Sequence, residues 1–344
     1  MGLNPLKIGD VTAKVPIIQG GMGIGVSGYK LASAVAKEGA VGIISAAQIG
    51  YREDDFKTNP KEANIRALKS EIRKAKKDSP KGIIGINIMV AMNNYEELVK
   101  AALEENIDII ISGAGLPMKL PKMIKGHNVK IAPIVSSRKA ALIILKHWKK
   151  RYDRLPDFIV VEGPKAGGHL GFKMDEVATH SLEYIVKDVL EEIKNYDKEI
   201  PVIAAGGIYT SDDIKKFINI GASGVQMATR FIATKECDAD INFKKAFLNS
   251  KEEDIILVKS PVGLPGRAIK NNFIETIQKN KVTPKICYNC LRKCDPKTTP
   301  YCISDALIEA VKGNIDKGLI FTGSNGYKID KIVTVKELIK ELTI

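Results

Sequence analysis

This 344-residue sequence contains few cysteines, few aromatic residues and no long apolar run. Its five cysteines are too few, and four of them too close together, for a secreted disulfide scaffold. The longest apolar run, at 83–92, is too short to span a bilayer and contains Asn87. The opening MGLNPLKIGD has neither a signal-peptide pattern nor the Ser or Thr at position 6 that myristoylation requires. We therefore expect a soluble cytoplasmic protein that does not bind membranes.

Basic residues outnumber acidic ones, with 53 Lys and Arg against 40 Asp and Glu. Most lysines lie in mixed stretches such as KSEIRKAKKD (69–78), which are typical of solvated helix faces. The alternative is a basic surface for an anionic partner such as a phosphate, coenzyme A or an acidic carrier protein. Aromatic residues are not interleaved with the basic runs, so we expect no nucleic-acid partner. The oligomeric state stays open, with a homodimer as one option.

Eight short apolar runs recur along the chain, and amphipathic helical patterns lie between them. The runs are VPIIQG (15–20), AVGIISA (40–46), GIIGINIM (82–89), DIIISGAG (108–115), VKIAPIVSS (129–137), DFIVVEG (157–163), PVIAAGG (201–207) and SGVQMATR (223–230). Their hydrophobicity is continuous rather than alternating, which is typical of strands buried on both faces of a parallel sheet. The pattern predicts an α/β fold, namely a (β/α)8 TIM barrel, with a doubly wound open sheet as the alternative.

The alternation stops at about Cys237 and resumes after Asp305. We predict that residues 1–236 and 306–344 form the barrel and that residues 237–305 form a smaller inserted lid over one end. The lid contains VGLPGRAIKN, which suggests a rigid loop over the barrel mouth. Arg267 in that loop would meet an anionic substrate or, equally, form a surface salt bridge.

The stretch GIGVSG (23–28) matches the G-x-G-x-x-G pattern of dinucleotide-binding sites, between a strand and a helix. The next strand, within AVGIISAAQ (40–48), ends without the acidic residue that would hold a ribose, so this interpretation fails. The glycines still predict a loop whose backbone closely approaches a flat ring or a phosphate. In a barrel this loop follows the first strand, at the end where active sites are built.

The loops after the seventh and eighth predicted strands, AAGGI (204–208) and GVQMATRF (224–231), have the features of a phosphate site. In many barrels these two loops hold a phosphate through backbone N–H groups. Gly206 and Gly207 would expose such groups, and Thr229 would add a hydroxyl. The alternative is a pair of ordinary tight turns.

The sixth predicted strand leads to EGPKAGGHLG (162–171) at the same end of the barrel. Gly167 and Gly168 would let the chain pass close to a ligand, and His169 would then point into the pocket. Imidazole titrates near neutrality, which suits proton transfer. The other three histidines lie in charged helix or loop contexts and are expected to be structural: His127, His147 and His180.

Five motifs, in order along nearly the whole chain, resemble the nitronate monooxygenase family, formerly 2-nitropropane dioxygenase. They are PIIQGGMGIGVSG, GINIM, VEGPKAGGHLG, IAAGGI and GASGVQMATRF. The family includes flavin-dependent enoyl-acyl-carrier-protein reductases. The resemblance implies a barrel that holds FMN non-covalently, with the motif histidine at His169. It implies cofactor contacts at Gly21, Met22, Gly23, Asn87, Glu162, Gly167, Gly168, Gly206, Gly207, Gln226, Met227 and Thr229. Ala228 departs from the family, which usually has Gly there.

Two reactions fit one such site. As a nitronate monooxygenase, the protein would oxidise alkyl nitronates with O2 to a carbonyl compound and nitrite, and His169 would take a carbon-bound proton or hold the nitro group. As an enoyl-ACP or enoyl-CoA reductase, it would use NAD(P)H to reduce FMN, and His169 would help to protonate the enolate. We expect the first reaction, with the second as the alternative. A flavin-binding protein with a regulatory or redox-relay role is a third class.

The stretch CYNCLRKCDPKTTPYC (287–302) has the spacing C-x2-C-x3-C-x7-C. Four thiolates match tetrahedral zinc or a [4Fe–4S] cluster, and unliganded thiols or a disulfide are the remaining alternatives. The first three spacings resemble the cluster motif of flavin-dependent dienoyl-CoA reductases, although the final gap here is shorter. The candidate metal ligands are Cys287, Cys290, Cys294 and Cys302.

Overall fold

The computed structural model of the chain describes residues 3–196, 199–261 and 263–344, and within them it has thirteen strands and twelve α-helices. The strands are β1 (Leu6–Ile8), β2 (Val11–Ala13), β3 (Ile17–Gln19), β4 (Val41–Ser45), β5 (Ile83–Met89), β6 (Ile109–Gly113), β7 (Lys130–Val135), β8 (Ile159–Glu162), β9 (Gly168–His169), β10 (Val202–Ala205), β11 (Gly224–Met227), β12 (Ile255–Lys259) and β13 (Pro265–Ile269).

The helices occupy the connections between these strands and the carboxyl-terminal part of the chain. They are α1 (Tyr29–Lys37), α2 (Pro60–Asp78), α3 (Tyr95–Glu104), α4 (Leu120–Met123), α5 (Arg138–Tyr152), α6 (Leu182–Ile193), α7 (Ser211–Ile220), α8 (Thr229–Ile232), α9 (Ile241–Leu248), α10 (Asn272–Lys279), α11 (Ile303–Val311) and α12 (Val335–Leu342).

The eight strands predicted from the sequence form a closed parallel barrel in the order β3-β4-β5-β6-β7-β8-β10-β11. The ring closes because β11 pairs with β3, and β10 pairs with both β8 and β11. The (β/α)8 prediction is therefore confirmed. A doubly wound sheet would have left two open edges.

Apolar side chains fill the barrel interior. Ile18, Ile43, Ile109, Val160 and Ile203 are fully buried in one cluster, to which the β1–β2 hairpin adds its own apolar side chains. Burying a side chain of this size contributes roughly 1.5–3 kcal/mol relative to exposure. These β-branched residues therefore explain both the strand preference and the filled core, and a ligand site has room only at the carboxyl ends of the strands.

The helices of the outer ring begin at recognisable caps. Thr210 caps α7 and forms a capping box with Asp213, which pairs backbone N–H groups at the start of the helix. The connection after β11 contains only the four-residue α8. The last helix, α12, packs against α1, α7 and α8 and completes the ring there.

The segment between α8 and α12 adds a second layer at the carboxyl ends of the strands. Strands β12 and β13 form an antiparallel hairpin, and β13 also pairs with β9. Helices α9 and α11 share an apolar cluster with the glycine loop that follows β3, through Phe247, Val311 and Ile24. The end of the lid that the sequence predicts, between residues 305 and 306, falls inside α11. The chain returns to the outer ring of helices only at α12.

Across the ranges that the structure describes, we find no helix both long enough and apolar enough to cross a bilayer.

Candidate active site

Polar side chains end the barrel strands directly above the apolar interior. Ala205 pairs in register with Glu162 on one side and with Gln226 on the other, and Ser45 pairs with Asn87. Paired residues of neighbouring parallel strands point to the same side of a sheet. In a strand, residues two positions apart point to the same face. Ser45, Glu162 and Ala205 each lie two residues after a side chain of the barrel interior, so the residues at these strand ends form the top layer of the barrel.

The glycine loop after β3 lies on this layer. A Cβ atom on Gly21 would stand 2.3 Å from the Cβ of Asn87, so no larger residue fits there. The Met22 N–H donates to Ser27 Oγ over 2.8 Å, and this bond folds the loop back on itself. Gly23 is also close to Ser45, since a Cβ there would lie 2.8 Å from its hydroxyl oxygen. The loop thus brings its backbone to the barrel mouth.

The predicted phosphate loops lie side by side across the mouth. Gly206 and Gly207 have φ values of +98° and +86°, a left-handed region in which glycine is preferred. This backbone packs against the loop that follows β8, because a Cβ on Gly207 would lie 2.7 Å from the Cβ of Lys165. Thr229, the first residue of α8, stands at the end of the neighbouring strand β11.

A third segment, Thr322–Asn325, meets these two loops, and sequence reasoning missed it. The Gly323 N–H donates to Thr229 Oγ1 over 3.1 Å, and the Asn325 side-chain amide donates to the Gly207 carbonyl over 2.7 Å. The signal in the sequence is only TGSNG, a run of small polar residues typical of any turn. The phosphate site predicted from two loops is therefore surrounded by three.

Gln226 and Met227 differ in direction, although the resemblance implies that both contact a cofactor. Gln226 points to the mouth, whereas the Met227 side chain is buried in the cluster between the barrel and its helices. The Met227 carbonyl accepts a hydrogen bond of 2.8 Å from the Gly20 N–H. The structure thus uses Met227 to join β11 to the glycine loop, and its side chain does not reach the mouth.

His169 is held by the added layer and not by the barrel alone. It lies on β9, in register with Gly266 of β13, and the following Leu170 N–H donates to the Pro265 carbonyl over 2.8 Å. Its ring meets the ring of Phe321 edge-on at 5.0 Å between centroids. Burial lowers the pKa of His169 to about 4, so the imidazole is neutral at neutral pH. A neutral imidazole can accept a proton.

Arg267 has a role that neither sequence interpretation anticipated. It is only 7% exposed, and its Nη1 donates to the carbonyls of Pro164, at 2.8 Å, and Ala166. Burial lowers its pKa. It therefore neither meets a substrate nor forms a surface salt bridge. It fixes the loop that leads to His169.

Glu162 is the second titratable group at the mouth. Burial raises its pKa to about 7, in the direction opposite to that of His169. Burial penalises the charged form of each group, the carboxylate of one and the imidazolium of the other. Two groups whose environments move their pKa values in opposite directions are typical of catalytic acid–base sites.

Buried polar atoms without a hydrogen-bond partner cluster at this end of the barrel. The described residues include four such side-chain atoms: Gln48 Nε2 and Gln226 Oε1 lie at or after barrel strand ends, Ser324 Oγ lies in the 322–325 segment, and the fourth is Tyr301 Oη. Buried polar groups in folded proteins are nearly always paired. These atoms are therefore suited to contact a bound polar ligand.

The cysteine segment packs beside the mouth, against the loop after β5. The Asn93 N–H donates to the Cys290 carbonyl over 3.1 Å, and Tyr288 stacks on Phe56 with 4.9 Å between ring centroids. All the cysteines are free thiols, with Cys287 exposed. In the part of the chain that the structure describes, no group of three or more His, Cys, Asp or Glu side chains is placed to hold a metal ion. The arrangement therefore gives no support to zinc or an iron–sulfur cluster at Cys287, Cys290, Cys294 and Cys302.

Comparisons with known proteins extend over the whole site. A family model described as nitronate monooxygenase matches residues 4–344. A probable nitronate monooxygenase of Staphylococcus aureus (strain MSSA476) is 30% identical over 307 residues, which cover 77% of this chain and 78% of the relative. FabK from Thermotoga maritima has a similar structure, with a TM-score of 0.74 and 25% identity, covering 95% of this chain and 91% of that chain.

One further relative matches this chain over only part of the relative's own length. The (3aS,4S,5R,7aS)-5-hydroxy-7a-methyl-1-oxo-octahydro-1H-indene-4-carboxyl-CoA dehydrogenase of Rhodococcus jostii (strain RHA1) is 27% identical over 263 residues. The match covers 76% of this chain but only 65% of the relative's own length.

Proposed function

This chain belongs to the nitronate monooxygenase family, and from that premise we propose that it is an FMN-dependent oxidoreductase that oxidises alkyl nitronates with O2 to a carbonyl compound and nitrite. One observation carries the proposal. His169, half-buried and neutral, stands at a barrel mouth that also holds a glycine loop and the predicted phosphate loops.

The residues at the mouth fit FMN. Gly21 and Gly23 bring the backbone close to Asn87 and Ser45, which suits the edge of a flat ring. Gly206 and Gly207, with Thr229, would hold the phosphate. The unpartnered Gln226 Oε1 and Ser324 Oγ are buried atoms that such a ligand would satisfy. FMN, when bound, accepts electrons from the substrate and passes them to O2.

The chain's own contribution is proton handling. With a neutral nitroalkane, the imidazole of His169 would take the carbon-bound proton. With a nitronate, which is already an anion, there is no carbon-bound proton to take, and the imidazole would only border the bound nitro group. Glu162, with a pKa raised to about 7, is largely uncharged on the acid side of neutrality and opposes an anionic substrate little there. The inserted layer pairs with the histidine loop through β13 and β9 and so holds His169 in place.

A second function, reduction of an enoyl thioester by NAD(P)H, has specific support. The Rhodococcus relative acts on a coenzyme A thioester by its name, and the fold is close to that of FabK. The net charge of +13 would suit an acidic carrier or coenzyme A. In this reaction His169 would help to protonate the enolate, so the same residue serves both candidates.

The test is turnover of the FMN-loaded protein with propyl nitronate in air, followed as O2 uptake and nitrite. Wild type should form both signals with the nitronate and with neutral 1-nitropropane, and His169→Ala should keep its FMN but lose activity on 1-nitropropane by roughly 10²–10⁴-fold, the usual contribution of a positioned proton-transfer group. His127→Ala, which removes an exposed imidazole, is the matched control. Full activity of His169→Ala would remove the catalytic assignment. Turnover of an enoyl thioester with NADH but none of nitronate would replace the proposed reaction with the alternative.

A further inference from the structure

We propose that Ser260 is a positioning residue for His169: its hydroxyl accepts a hydrogen bond from Nε2–H and leaves the lone pair of Nδ1 to take the substrate proton. The inference rests on the proposed proton-handling role of His169 and deepens it. Which ring nitrogen acts, and what fixes it, follow from neither the fold nor the family.

The contact is short and well enclosed. Ser260 Oγ lies 2.6 Å from His169 Nε2, and Ser260 is only 9% exposed. The described residues offer no hydrogen-bond partner to Nδ1. In a neutral imidazole one nitrogen carries the proton and the other accepts, and the partner of the first decides the tautomer. A hydroxyl at Nε2 can thus hold the ring with Nδ1 available.

The backbone keeps Ser260 in place independently of His169. Ser260 follows β12 at the start of the hairpin turn, where its N–H donates to the Leu264 carbonyl over 3.3 Å and its carbonyl accepts from Gly263 N–H over 3.1 Å. The hairpin then returns as β13, which pairs with the strand of His169. Donor and acceptor therefore belong to one small sheet, and the sheet sets their separation.

Packing limits the other orientations of the ring. Phe321 meets the imidazole edge-on, with 69° between the ring planes. Burial is the cause of the lowered pKa of His169, and no charged neighbour contributes to it. A carboxylate that could orient the ring is therefore absent from its surroundings among the described residues, and the neutral hydroxyl of Ser260 takes that role.

A purely structural role for Ser260 predicts different results, so the experiment measures the ring itself. The FMN-loaded protein is labelled with ¹⁵N-histidine, and the nitrogen shifts are followed by NMR from pH 4 to pH 8. The four imidazoles are assigned by single His→Ala variants. We expect His169 in wild type to show a protonated Nε2 and an unprotonated Nδ1, and Ser260→Ala to give a mixture of tautomers and a shifted titration.

Steady-state kinetics give the second measurement. With neutral 1-nitropropane as substrate, Ser260→Ala should lower kcat about 10-fold with little change in KM, and Ser260→Thr, which keeps the hydroxyl, should restore most of it. Ser250→Ala is the control, because among the described residues that hydroxyl bonds only the Phe247 carbonyl, in the same inserted layer. If the alanine variant does not fold, Ser260→Cys gives the same comparison, because a thiol is a weak hydrogen-bond partner.

An unchanged His169 tautomer in Ser260→Ala, or a protonated Nδ1 in wild type, would overturn the inference. The NMR measurement is independent of the substrate. A tautomer that depends on Ser260 in a protein inactive on nitronates would support the positioning role and contradict only the proposed function.

Discussion

Replacing Arg267 with methionine tests whether a buried guanidinium stabilises the loop that leads to His169. The change keeps an unbranched apolar stem and removes the guanidinium with both of its hydrogen bonds, to the carbonyls of Pro164 and Ala166. Neither carbonyl has another partner among the described backbone and side-chain hydrogen bonds. Arg267→Met therefore leaves two buried acceptors unpaired.

The size of the effect follows from these two groups. An unpaired buried acceptor costs roughly 1–3 kcal/mol, so two cost roughly 2–6 kcal/mol. The methionine also relieves the desolvation of a buried cation, which offsets part of this cost. We expect a net loss of about 2 kcal/mol in the free energy of unfolding. With an unfolding entropy near 2.1 cal/mol/K per residue over 344 residues, this loss corresponds to a Tm lower by about 3 °C.

Thermal and urea unfolding of the flavin-free protein measure this loss, and nitronate turnover shows whether the loop around His169 has loosened. Lys270→Met is the matched control, since Lys270 follows the same strand but is exposed and only 3.8 Å from Glu275 in a surface pair. An Arg267→Met variant that unfolds like Lys270→Met, within about 0.5 kcal/mol, would refute the assignment of Arg267 as a support of the loop.

Three further predictions concern the mouth and the thiols. Gly207→Ala should lose most of its FMN, because φ is +86° at this position of the predicted phosphate loop. The control Gly126→Ala has a similar φ of +88° but no atom within 4 Å, so it should show only backbone strain of about 1 kcal/mol and keep its FMN. The flavin absorbance of the purified proteins measures both. Between pH 4.5 and 7 the flavin-free protein should lose up to about 3 kcal/mol of stability relative to Glu162→Gln, because the folded protein holds the Glu162 proton up to a pKa of about 7; urea unfolding of both proteins measures this difference, to which His169 contributes equally in both. Iodoacetamide at pH 8 should alkylate the exposed Cys287 and spare Cys237, whose pKa burial raises to about 11; mass spectrometry that finds Cys237 modified in folded protein would contradict its burial.

The barrel could be predicted from sequence because its strands depend on local composition. Runs such as 40–46 and 157–163 are continuously apolar and β-branched, and this pattern alone distinguishes parallel strands buried on both faces. The same runs place the glycine loops and the histidine loop at one end, since parallel strands all finish there. The location of His169 at the carboxyl end of the barrel could thus be predicted from the order of strands and helices along the chain.

The inserted layer could not be predicted in the same way, because its structure depends on contacts distant in sequence. Strand β13 is PGRAI, which has little strand propensity, and it forms because it pairs with β12 and with β9. Arg267 is an ordinary surface residue by composition, and only this pairing buries it. Asn325 likewise reaches Gly207 through tertiary folding. The partners of His169 therefore had to be observed.

The cysteine spacing is a strong local pattern for which the described residues show no matching metal-holding arrangement. The sequence predicts a metal centre from four thiols in sixteen positions, at 287–302. The described residues have no metal-holding group there, and the segment is instead attached to the barrel by Asn93 and by the stacked Tyr288. Spacing constrains which residues can meet, but the packing of a loop decides whether they do.

The most direct test of the account is anaerobic reduction of the bound flavin. The protein is purified without oxygen and mixed in separate cuvettes with propyl nitronate and with NADH or NADPH, and the visible flavin band is followed. Rapid bleaching by nitronate alone is the predicted result. Rapid bleaching by a reduced nicotinamide, with none by nitronate, would contradict the proposed function and make enoyl thioesters the next substrates to test.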